Sequence, residues 1–305
     1  MKWIKKGLLF NVADQLPDWA KDSALQPCPL KLNETTVRFY CGFRDEQGVS
    51  RVGYVDIQKQ GHSLQVIGVS EKPVLNIGSD GCFDDNGVVP SCIVRHGSEI
   101  RMYYAGYQLV KKVRFLVLGG LAISTDGGES FIRYQENPVL ERTQDELLFR
   151  VAHSVLLENN TWRAWYGGGS YFEKHGERTL PVYDIRYMES PDGISFPQQG
   201  TVVLENAVTE HRVGRPFVYK AGGTYYMFFG SSTKDVPYRL TYAVSTDSKT
   251  WTRKDIGLEY QPSDFDSEMS AYPSIVELEG TTFLFYNGND YGAEGFGYAV
   301  LEGSL

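Results

Sequence analysis

Cysteine is scarce in this chain of 305 residues, and no two cysteines have the CxxC spacing of a metal or redox site. All four of them (Cys28, Cys41, Cys82 and Cys92) lie in the first third, and no histidine-rich tract accompanies them. We therefore expect reduced, mostly buried thiols in a cytoplasmic protein, with neither a metal nor a cofactor.

Basic residues are also fewer than acidic ones. The chain has 30 lysines and arginines and 38 aspartates and glutamates, so its net charge is -8. An acidic chain is poorly suited to binding nucleic acid or an anionic membrane. No apolar run reaches the roughly 20 residues of a transmembrane helix. The N-terminal MKWIKKGLLF favours a strand over a signal peptide. We expect neither of these partners, and the sequence leaves the oligomeric state open.

The chain does contain a sequence repeat, which occurs five times. Each copy has a short apolar strand, a polar turn, an aromatic-rich strand that usually ends in glycine, and a third strand. The copies open at Pro29, Pro90, Ser154, Pro216 and Pro273. Repetition of a four-stranded sheet predicts an all-β protein, here a five-bladed β-propeller with four antiparallel strands per blade. Residues 1–305 would form this single domain. The last copy lacks a fourth strand, so we expect the N-terminal KKGLLF to supply it and close the ring.

The repeat also predicts which positions reach a site. Strand one of each blade starts at the axial funnel and strand two returns to it. Functional residues should therefore lie before strand one, at the end of strand two, or at the start of strand three. The aspartates Asp126, Asp192 and Asp247 fall in hairpins at the opposite face, so we expect them to stabilise turns.

Three acidic residues stand in similar register ahead of strand one. Asp85 and Glu268 lie five residues before the opening proline of their blades, and Glu210 lies six before. Glycosidic cleavage needs one protonated carboxyl group that donates to the leaving oxygen and one ionised carboxylate that activates water or attacks carbon. We therefore expect these three acids to converge in the funnel as catalytic residues.

Other side chains at funnel positions are suited to binding hydroxyl groups, sugar faces or an anionic substituent. The candidate binding residues are Arg44, His153, Tyr183, Asp184, Arg186, Arg215, Tyr238, Arg239, Asp266, Tyr272, Asn287 and Asn289.

Several longer segments resemble a known family. RPFVYKAGGTYYMFFGSS, YRLTYAVSTDSKTWTRKD and DFDSEMSAYPSIVELEGTTFLFYNGNDYGAEGFGYAVLEG, together with GCFDDNGVVPS and PVYDIRYMESPDGISF, look like bacterial proteins of the five-bladed glycoside hydrolase 43/32-like superfamily. Members are often associated with surface-polysaccharide or modified-sugar pathways. The resemblance covers the chain from about Gly81 onward and implies a carbohydrate site in the axial funnel.

In the furanosidase relatives, three acids from different blades act as base, acid and pKa modulator, a layout that resembles Asp85, Glu210 and Glu268. The segment QPCPLK around Pro29 holds no acid where the family has its first-blade aspartate. Either the acids are redistributed among the other blades, or the reaction differs from simple hydrolysis.

The leading hypothesis is a glycoside hydrolase-like enzyme that acts on a small or activated sugar. Glu268 would be the general acid, Asp85 the base or nucleophile, and Glu210 the modulator or a hydroxyl ligand. An anionic substrate group would be held by Arg44, Arg186, Arg215 and Arg239. Two alternatives remain open. One is a glycoside phosphorylase whose arginines and histidine bind phosphate, and the other is a non-catalytic carbohydrate-binding propeller.

Overall fold

The computed structural model describes residues 1–61, 63–262 and 264–305. Over these residues the chain is almost entirely β, with two helical turns of four residues, α1 (Val12–Gln15) and α2 (Asn289–Gly292). None of the helices in this described part is long and apolar enough to cross a membrane.

The strands follow one another along the whole chain. In the first half they are β1 (Trp3–Asn11), β2 (Asp22–Lys31), β3 (Thr36–Arg44), β4 (Ser50–Gln60), β5 (Ser63–Val69), β6 (Val88–His96), β7 (Glu99–Gln108), β8 (Leu116–Ser124) and β9 (Ile132–Arg133). In the second half they are β10 (Phe149–Glu158), β11 (Thr161–His175), β12 (Arg178–Ser190), β13 (Thr201–Leu204), β14 (Arg212–Ala221), β15 (Thr224–Ser232), β16 (Arg239–Ser245), β17 (Thr252–Lys254), β18 (Ala271–Leu278), β19 (Thr281–Asn287) and β20 (Gly295–Leu301).

The strands pair in antiparallel runs of four, which we call units 1 to 5. Units 1 to 4 are β2–β5, β6–β9, β10–β13 and β14–β17. Unit 5 consists of β18, β19 and β20 with the N-terminal β1, which pairs with β20 from Trp3 opposite Leu301 to Asn11 opposite Gly295. Short parallel contacts between β8 and β10, and between β12 and β14, join units 2, 3 and 4 into one twelve-stranded sheet.

The core lies between neighbouring units. Phe39 of unit 1 packs on Phe285 of unit 5, with ring centroids 4.4 Å apart. Trp165 of unit 3 packs edge-on against Trp251 of unit 4 at 6.5 Å. The middle strands are nearly all buried because both of their faces are covered. This explains why the sequence shows aromatic runs there instead of a simple alternation.

The first strand of every unit loses its regular register, at one place in units 2 to 5 and at two places in unit 1, where one or two extra residues bulge. In units 1, 4 and 5 the bulge ends in a proline, at Pro27, Pro216 and Pro273. In unit 1 the proline that corresponds to Pro216 and Pro273 is therefore Pro27. The predicted opening of the first repeat at Pro29 is two residues too late. The error arose because Pro27 and Pro29 flank a single cysteine and both fit the pattern.

The predicted role of the hairpin aspartates is confirmed. The Oδ1 atom of Asp126 accepts hydrogen bonds from the amides of Glu129 and Ser130. Asp192 and Asp247 accept the equivalent backbone amides in their own turns. These carboxylates replace backbone partners that a tight turn cannot provide.

Candidate functional site

The bulges and the loops beside them surround an open cavity of about 750 Å³. Its lining comes from segments ahead of β6, β14 and β18, from the ends of the second strands, and from the extended tip of the β11–β12 hairpin. The volume is in the range of small-molecule sites. We call this cavity the funnel.

Three funnel residues hold an unusual backbone conformation. Gln26, Arg215 and Tyr272 have φ values of 58°, 58° and 59°, and each is followed directly by a bulge proline. Left-handed backbone is disfavoured for residues with a side chain, and a following proline restricts the backbone further. Each such residue costs on the order of 1–3 kcal/mol. The fold tolerates this strain at the point where these side chains turn toward the funnel.

Arg215 is 9% exposed and lies beside His153. Its Nη1 atom is 3.2 Å from His153 Nδ1, and its Nη2 atom donates to Cys28 Sγ (3.1 Å) and to the carbonyl oxygen of Pro90 (3.2 Å). Burial, reinforced by the Arg215 charge, holds the pKa of His153 well below its usual range. His153 is therefore neutral. Because Nδ1 accepts from Arg215, Nε2 carries the proton; it lies near Gly167 and has no hydrogen-bond partner among the described residues.

Arg212 lies three residues before Arg215 on β14, and its hydrogen-bond partners are neutral groups. Its Nε atom donates to Ser232 Oγ (3.0 Å) and its Nη2 atom donates to Tyr291 Oη (3.3 Å). The guanidinium lies 4.6 Å from the centroid of the Tyr238 ring, a cation–π distance. Neighbouring His211 is 4% exposed, and burial followed by the Arg212 charge lowers the pKa of His211 to about 4.

Tyrosine hydroxyl groups surround the two arginines. Tyr183 and Tyr238 share a short hydrogen bond, and the Tyr272 ring packs at 6.1 Å against that of Tyr291, with the ring planes tilted by 32°. Burial raises the pKa of Tyr107 to about 12 and that of Tyr238 and Tyr272 well above the usual value. These hydroxyl groups stay protonated and are available to donate hydrogen bonds to a ligand.

The wall formed by units 2 and 3 is apolar. Phe115 packs against Tyr107 and Phe172 packs against Phe149, with centroids 5.4 and 5.2 Å apart. Phe172 belongs to residues 170–182, the tip of the β11–β12 hairpin, which we call the arm. The arm contacts the loop after β15 through a Lys234–Glu173 ion pair (2.5 Å) and a His175–Asp235 contact (3.0 Å).

Carboxylates line the funnel only near its solvent-exposed side in the described part of the chain. Glu268 is exposed, and its backbone amide donates to Asn289 Oδ1 at 2.8 Å. Asp290 and Tyr291 follow in consecutive left-handed conformations (φ 51° and 61°) within α2. Strain of this kind concentrates at ligand-binding positions. Glu177 and Asp235 also line the funnel, from the arm and from the loop it contacts.

The structure places six of the twelve predicted binding residues in the funnel lining. They are Arg44, His153, Tyr183, Arg215, Tyr238 and Tyr272. The other six are Asp184, Arg186, Arg239, Asp266, Asn287 and Asn289, and they hold neighbouring segments together instead.

The six residues outside the lining have defined partners. Arg186 is paired with Asp184 and Glu146. Arg239 donates to the carbonyl oxygens of residues 266 and 267. Asn287, at the end of β19, joins β20 of unit 5 to β2 of unit 1, since its Nδ2 atom donates to the carbonyl oxygens of residues 24 and 295. Asn289 fixes the loop that carries Glu268.

The expected convergence of Asp85, Glu210 and Glu268 is not found, since of the three only Glu268 lines the funnel. Asp85 Oδ2 accepts from the Gly81 amide within its own loop (2.9 Å). Glu210 accepts from Arg253 Nη1 (2.8 Å), from Ser231 Oγ and from the Ala207 amide (2.7 Å). Its carboxylate thus stabilises the loop ahead of β14.

A different set of acids shares the register that suggested the site. Asp84, Glu146 and Asp266 each lie seven residues before the bulge residue of their unit, and Glu210 lies six before. The first three are fully buried, and each accepts from a tyrosine at one position of the second strand: Tyr104, Tyr166 and Tyr286. Each of the four also pairs with a cation: Arg133, Arg150, Arg253 or Lys5. The shared register therefore reflects a repeated structural contact.

Several funnel residues were not selected from the sequence. Arg212, His211, Tyr107, Gln26, Asp290 and Tyr291 all line it. One signal was available, because Gln26, Arg215 and Tyr272 each directly precede a proline of the repeat. Nothing in the sequence marked the left-handed turn at Asp290, because isolated aspartates are common in loops.

Solved structures with a similar fold are glycoside hydrolases. One described as a glycoside hydrolase has a TM-score of 0.71 at 17% identity and covers 99% of this chain and 92% of its own. A thermostable family-43 glycoside hydrolase has a TM-score of 0.66 at 16% identity, covering 95% and 93%. A Bombyx mori GH32 β-fructofuranosidase mutant in complex with sucrose has a TM-score of 0.61 at 15% identity, covering 95% and 63%. These similarities define the fold class as the all-β propeller type of glycoside hydrolase families 43 and 32.

No protein-family model matches the chain. Among curated proteins, the chain is 33% identical over 308 residues to the uncharacterized protein Rv1502 of Mycobacterium tuberculosis (strain ATCC 25618 / H37Rv). The match covers 99% of this chain and 100% of that protein. The chain therefore belongs to the family of Rv1502.

Proposed function

We propose that the protein is a glycoside hydrolase-like enzyme whose substrate is a carbohydrate bound in the funnel. In this proposal units 1 to 5 are the blades of a single five-bladed propeller over residues 1–305, closed by the pairing of β1 with β20. The fold likeness to glycoside hydrolases supports the reaction class, although fold alone does not define a function.

The observation that carries the proposal is the composition of the funnel. Tyr238, Tyr272 and Tyr291 offer ring faces and hydroxyl groups, and the aromatic wall with Phe172 lines the same cavity. Stacking surfaces combined with protonated hydroxyl donors are suited to a sugar ring, which has apolar faces and polar edges.

Glu268 is the proton donor in this proposal. Of the acids selected from the sequence it alone lines the funnel, and Asn289 fixes its backbone through the amides of residues 268 and 269. Asp290, on the strained turn next to Asn289, is the candidate second carboxylate. Asp85 and Glu210 are assigned to loop structure because their carboxylates are occupied by partners outside the funnel.

The test is turnover by Glu268→Gln and Asp290→Asn variants. Purified wild-type protein is incubated with a panel of 4-nitrophenyl pyranosides and furanosides, sugar 1-phosphates and nucleotide sugars, and products are separated by chromatography. General acid catalysis contributes typically 10²–10⁴-fold, so Glu268→Gln should slow turnover by about that factor. Glu277→Gln is the matched control, because Glu277 is exposed on β18, well along the strand from the funnel. Turnover by Glu268→Gln at the wild-type rate would remove Glu268 from the mechanism.

Phosphorolysis is the second candidate, favoured by one observation. In the described residues the funnel offers Arg212, Arg215 and the His153 donor close together, while its carboxylates lie at the exposed side. In that reaction a phosphate oxygen bonds to the anomeric carbon, the glycosidic C–O bond breaks, and Glu268 protonates the leaving oxygen. Only one acid is needed. Phosphorolysis gives a sugar 1-phosphate and requires inorganic phosphate, whereas hydrolysis gives free sugar even when phosphate is omitted. The products formed with and without phosphate therefore distinguish the two reactions. Binding of a sugar without turnover of any probe would instead indicate a non-catalytic propeller.

A further inference from the structure

The arginines of this chain fall into two groups. Nine of the 16 have a carboxylate oxygen within 4.0 Å. Seven have no such partner among the described residues, and five of these seven line the funnel: Arg44, Arg114, Arg178, Arg212 and Arg215. Unpaired guanidinium groups are thus concentrated in one cavity of a protein whose net charge is -8.

The lining as a whole carries an excess of positive charge. Six arginines and lysines stand against four aspartates and glutamates, the reverse of the balance over the whole chain. A cationic cavity in an acidic protein attracts anions selectively, and its apolar walls strengthen the field inside it.

Arg215 is the most buried of these five arginines. Its side chain is nearly buried, and its partners are a neutral imidazole, a thiol and a carbonyl oxygen. Removing a charge from water without a counter-charge is costly. The left-handed backbone that aims this side chain adds a further cost. Both costs would be offset by an anion that binds in the funnel.

Arg212 and Arg215 contact the neighbouring tyrosines Tyr291 and Tyr272. Arg212 donates to the Tyr291 hydroxyl, the Tyr291 ring packs at a tilt against Tyr272, and the Arg215 guanidinium lies 5.7 Å from the Tyr272 ring centroid. Among residues 1–61, 63–262 and 264–305, the hydrogen-bond partners of Arg212 are all neutral. The two guanidinium groups therefore lie beside one tyrosine pair, Tyr272 and Tyr291, with donor hydrogens still available.

We propose that Arg212 and Arg215 form an oxyanion subsite, so that the sugar processed in the funnel carries a phosphate or carboxylate group or reacts with phosphate. This inference rests on the proposed function for the identity of the sugar-processing site, but the anion binding itself is measurable without turnover. Guanidinium groups bind both kinds of oxyanion through charge-assisted hydrogen bonds. Neutral tyrosine hydroxyls complete the donor set without adding negative charge.

The test measures binding by isothermal titration calorimetry at low ionic strength. The probes are inorganic phosphate, glucose 1-phosphate, glucose 6-phosphate, glucuronate and glucose, each titrated into the full chain. Charge-assisted hydrogen bonds contribute about 1.5–3 kcal/mol, so Arg212→Gln should weaken oxyanion binding roughly 10- to 100-fold. Arg215→Lys keeps the charge but not the forked geometry and should weaken it less. Arg95→Gln is the matched control, since Arg95 is exposed on β6 and also lacks a carboxylate partner among the described residues.

Each outcome decides a specific point. Preference for a sugar phosphate or for glucuronate over glucose identifies the group on the substrate, and binding of inorganic phosphate alone identifies phosphate as the second reactant. Equal affinity of wild type for glucose and its anionic counterparts, or equal affinity of Arg212→Gln and wild type, would overturn the subsite. Glu268→Gln separates this inference from the proposed function. If that variant binds oxyanions and turns substrate over normally, the catalytic role is wrong and the subsite stands.

Discussion

Asp84 and Asp85 are neighbours in sequence, but their side chains have different surroundings. Asp84 is fully buried, accepting from the Tyr104 hydroxyl (3.0 Å) and Arg133 Nε (2.9 Å). Asp85 is partly exposed, and its one side-chain hydrogen bond within the described part of the chain is from the backbone amide of Gly81 in its own loop. The buried carboxylate joins the loop ahead of β6 to the second and fourth strands of unit 2. The stabilising role therefore belongs to Asp84.

Substituting the two residues should separate stability from activity. Asp84→Ala leaves the Arg133 charge and the Tyr104 hydroxyl without their partner and should lower the free energy of unfolding by about 3–5 kcal/mol. Asp85→Ala should change it by less than about 1 kcal/mol and should leave turnover unchanged. Urea denaturation and the turnover panel provide both measurements. Loss of turnover in Asp85→Ala with normal stability would restore Asp85 as a catalytic residue.

This pair also shows how far the sequence can define a site. Position in the repeat led to Arg215, Tyr272 and Tyr238, which do line the funnel, because it states where a strand meets the funnel. It does not state where a side chain points. Asp84 and Asp85 are consecutive residues of one turn, yet the first side chain is buried and the second is partly exposed. Only the contacts with Tyr104 and Arg133 distinguish them.

At the scale of elements, β1 is held to unit 5 by more than its backbone pairing. Lys5 Nζ lies 2.6 Å from Asp264 Oδ2 and 2.6 Å from Asp266 Oδ1. Asp266 is fully buried and also accepts from the Tyr286 hydroxyl (2.9 Å). Lys5 on the N-terminal strand thus offsets part of the negative charge of the loop that leads to Glu268.

We expect Lys5→Met to destabilise the protein by about 3 kcal/mol, because Asp266 then remains buried without its cation. Methionine keeps much of the apolar stem, so the loss is attributable to the charge. Lys2→Met is the matched control, at the residue directly before the same strand. Its partner is Glu302, the pair is exposed (72% and 54%), and its stability should stay close to wild type. Equal stability of both variants in urea denaturation would show that the Lys5 contacts are dispensable.

The elements were predictable to the extent that they repeat. Aromatic strands ending in glycine and hairpins built on Asp126, Asp192 and Asp247 recur in the sequence and in the structure. The arm was not predictable, because it is an extension of β11 and β12 found in no other copy. Its contacts depend on the loop after β15, which a repeat-based alignment cannot place.

At the scale of the whole molecule, two histidines are buried against positive charge. His153 contacts Arg215, and His211 lies next to Arg212. Burial followed by these arginine charges lowers the pKa of both, that of His211 to about 4 and that of His153 well below its usual range. Both stay neutral at physiological pH. The unfolded chain, in contrast, binds a proton at each histidine near its ordinary pKa of about 6.5.

Stability should therefore fall as the pH falls below about 6.5, and continue to fall toward about 4 for His211. The sign follows from proton binding. In this interval the unfolded state holds protons that the folded state excludes, so unfolding becomes more favourable as the proton concentration increases. From about pH 7 to about pH 5, each histidine should remove up to about 2 kcal/mol from the free energy of unfolding. Urea denaturation at the two pH values measures the loss, which should shrink in His211→Gln and shrink further when His153→Gln is added. His96→Gln, at an exposed position on β6, is the control and should lose as much as wild type. A loss in the double variant as large as in wild type would show that the carboxylates, not the funnel histidines, govern acid sensitivity.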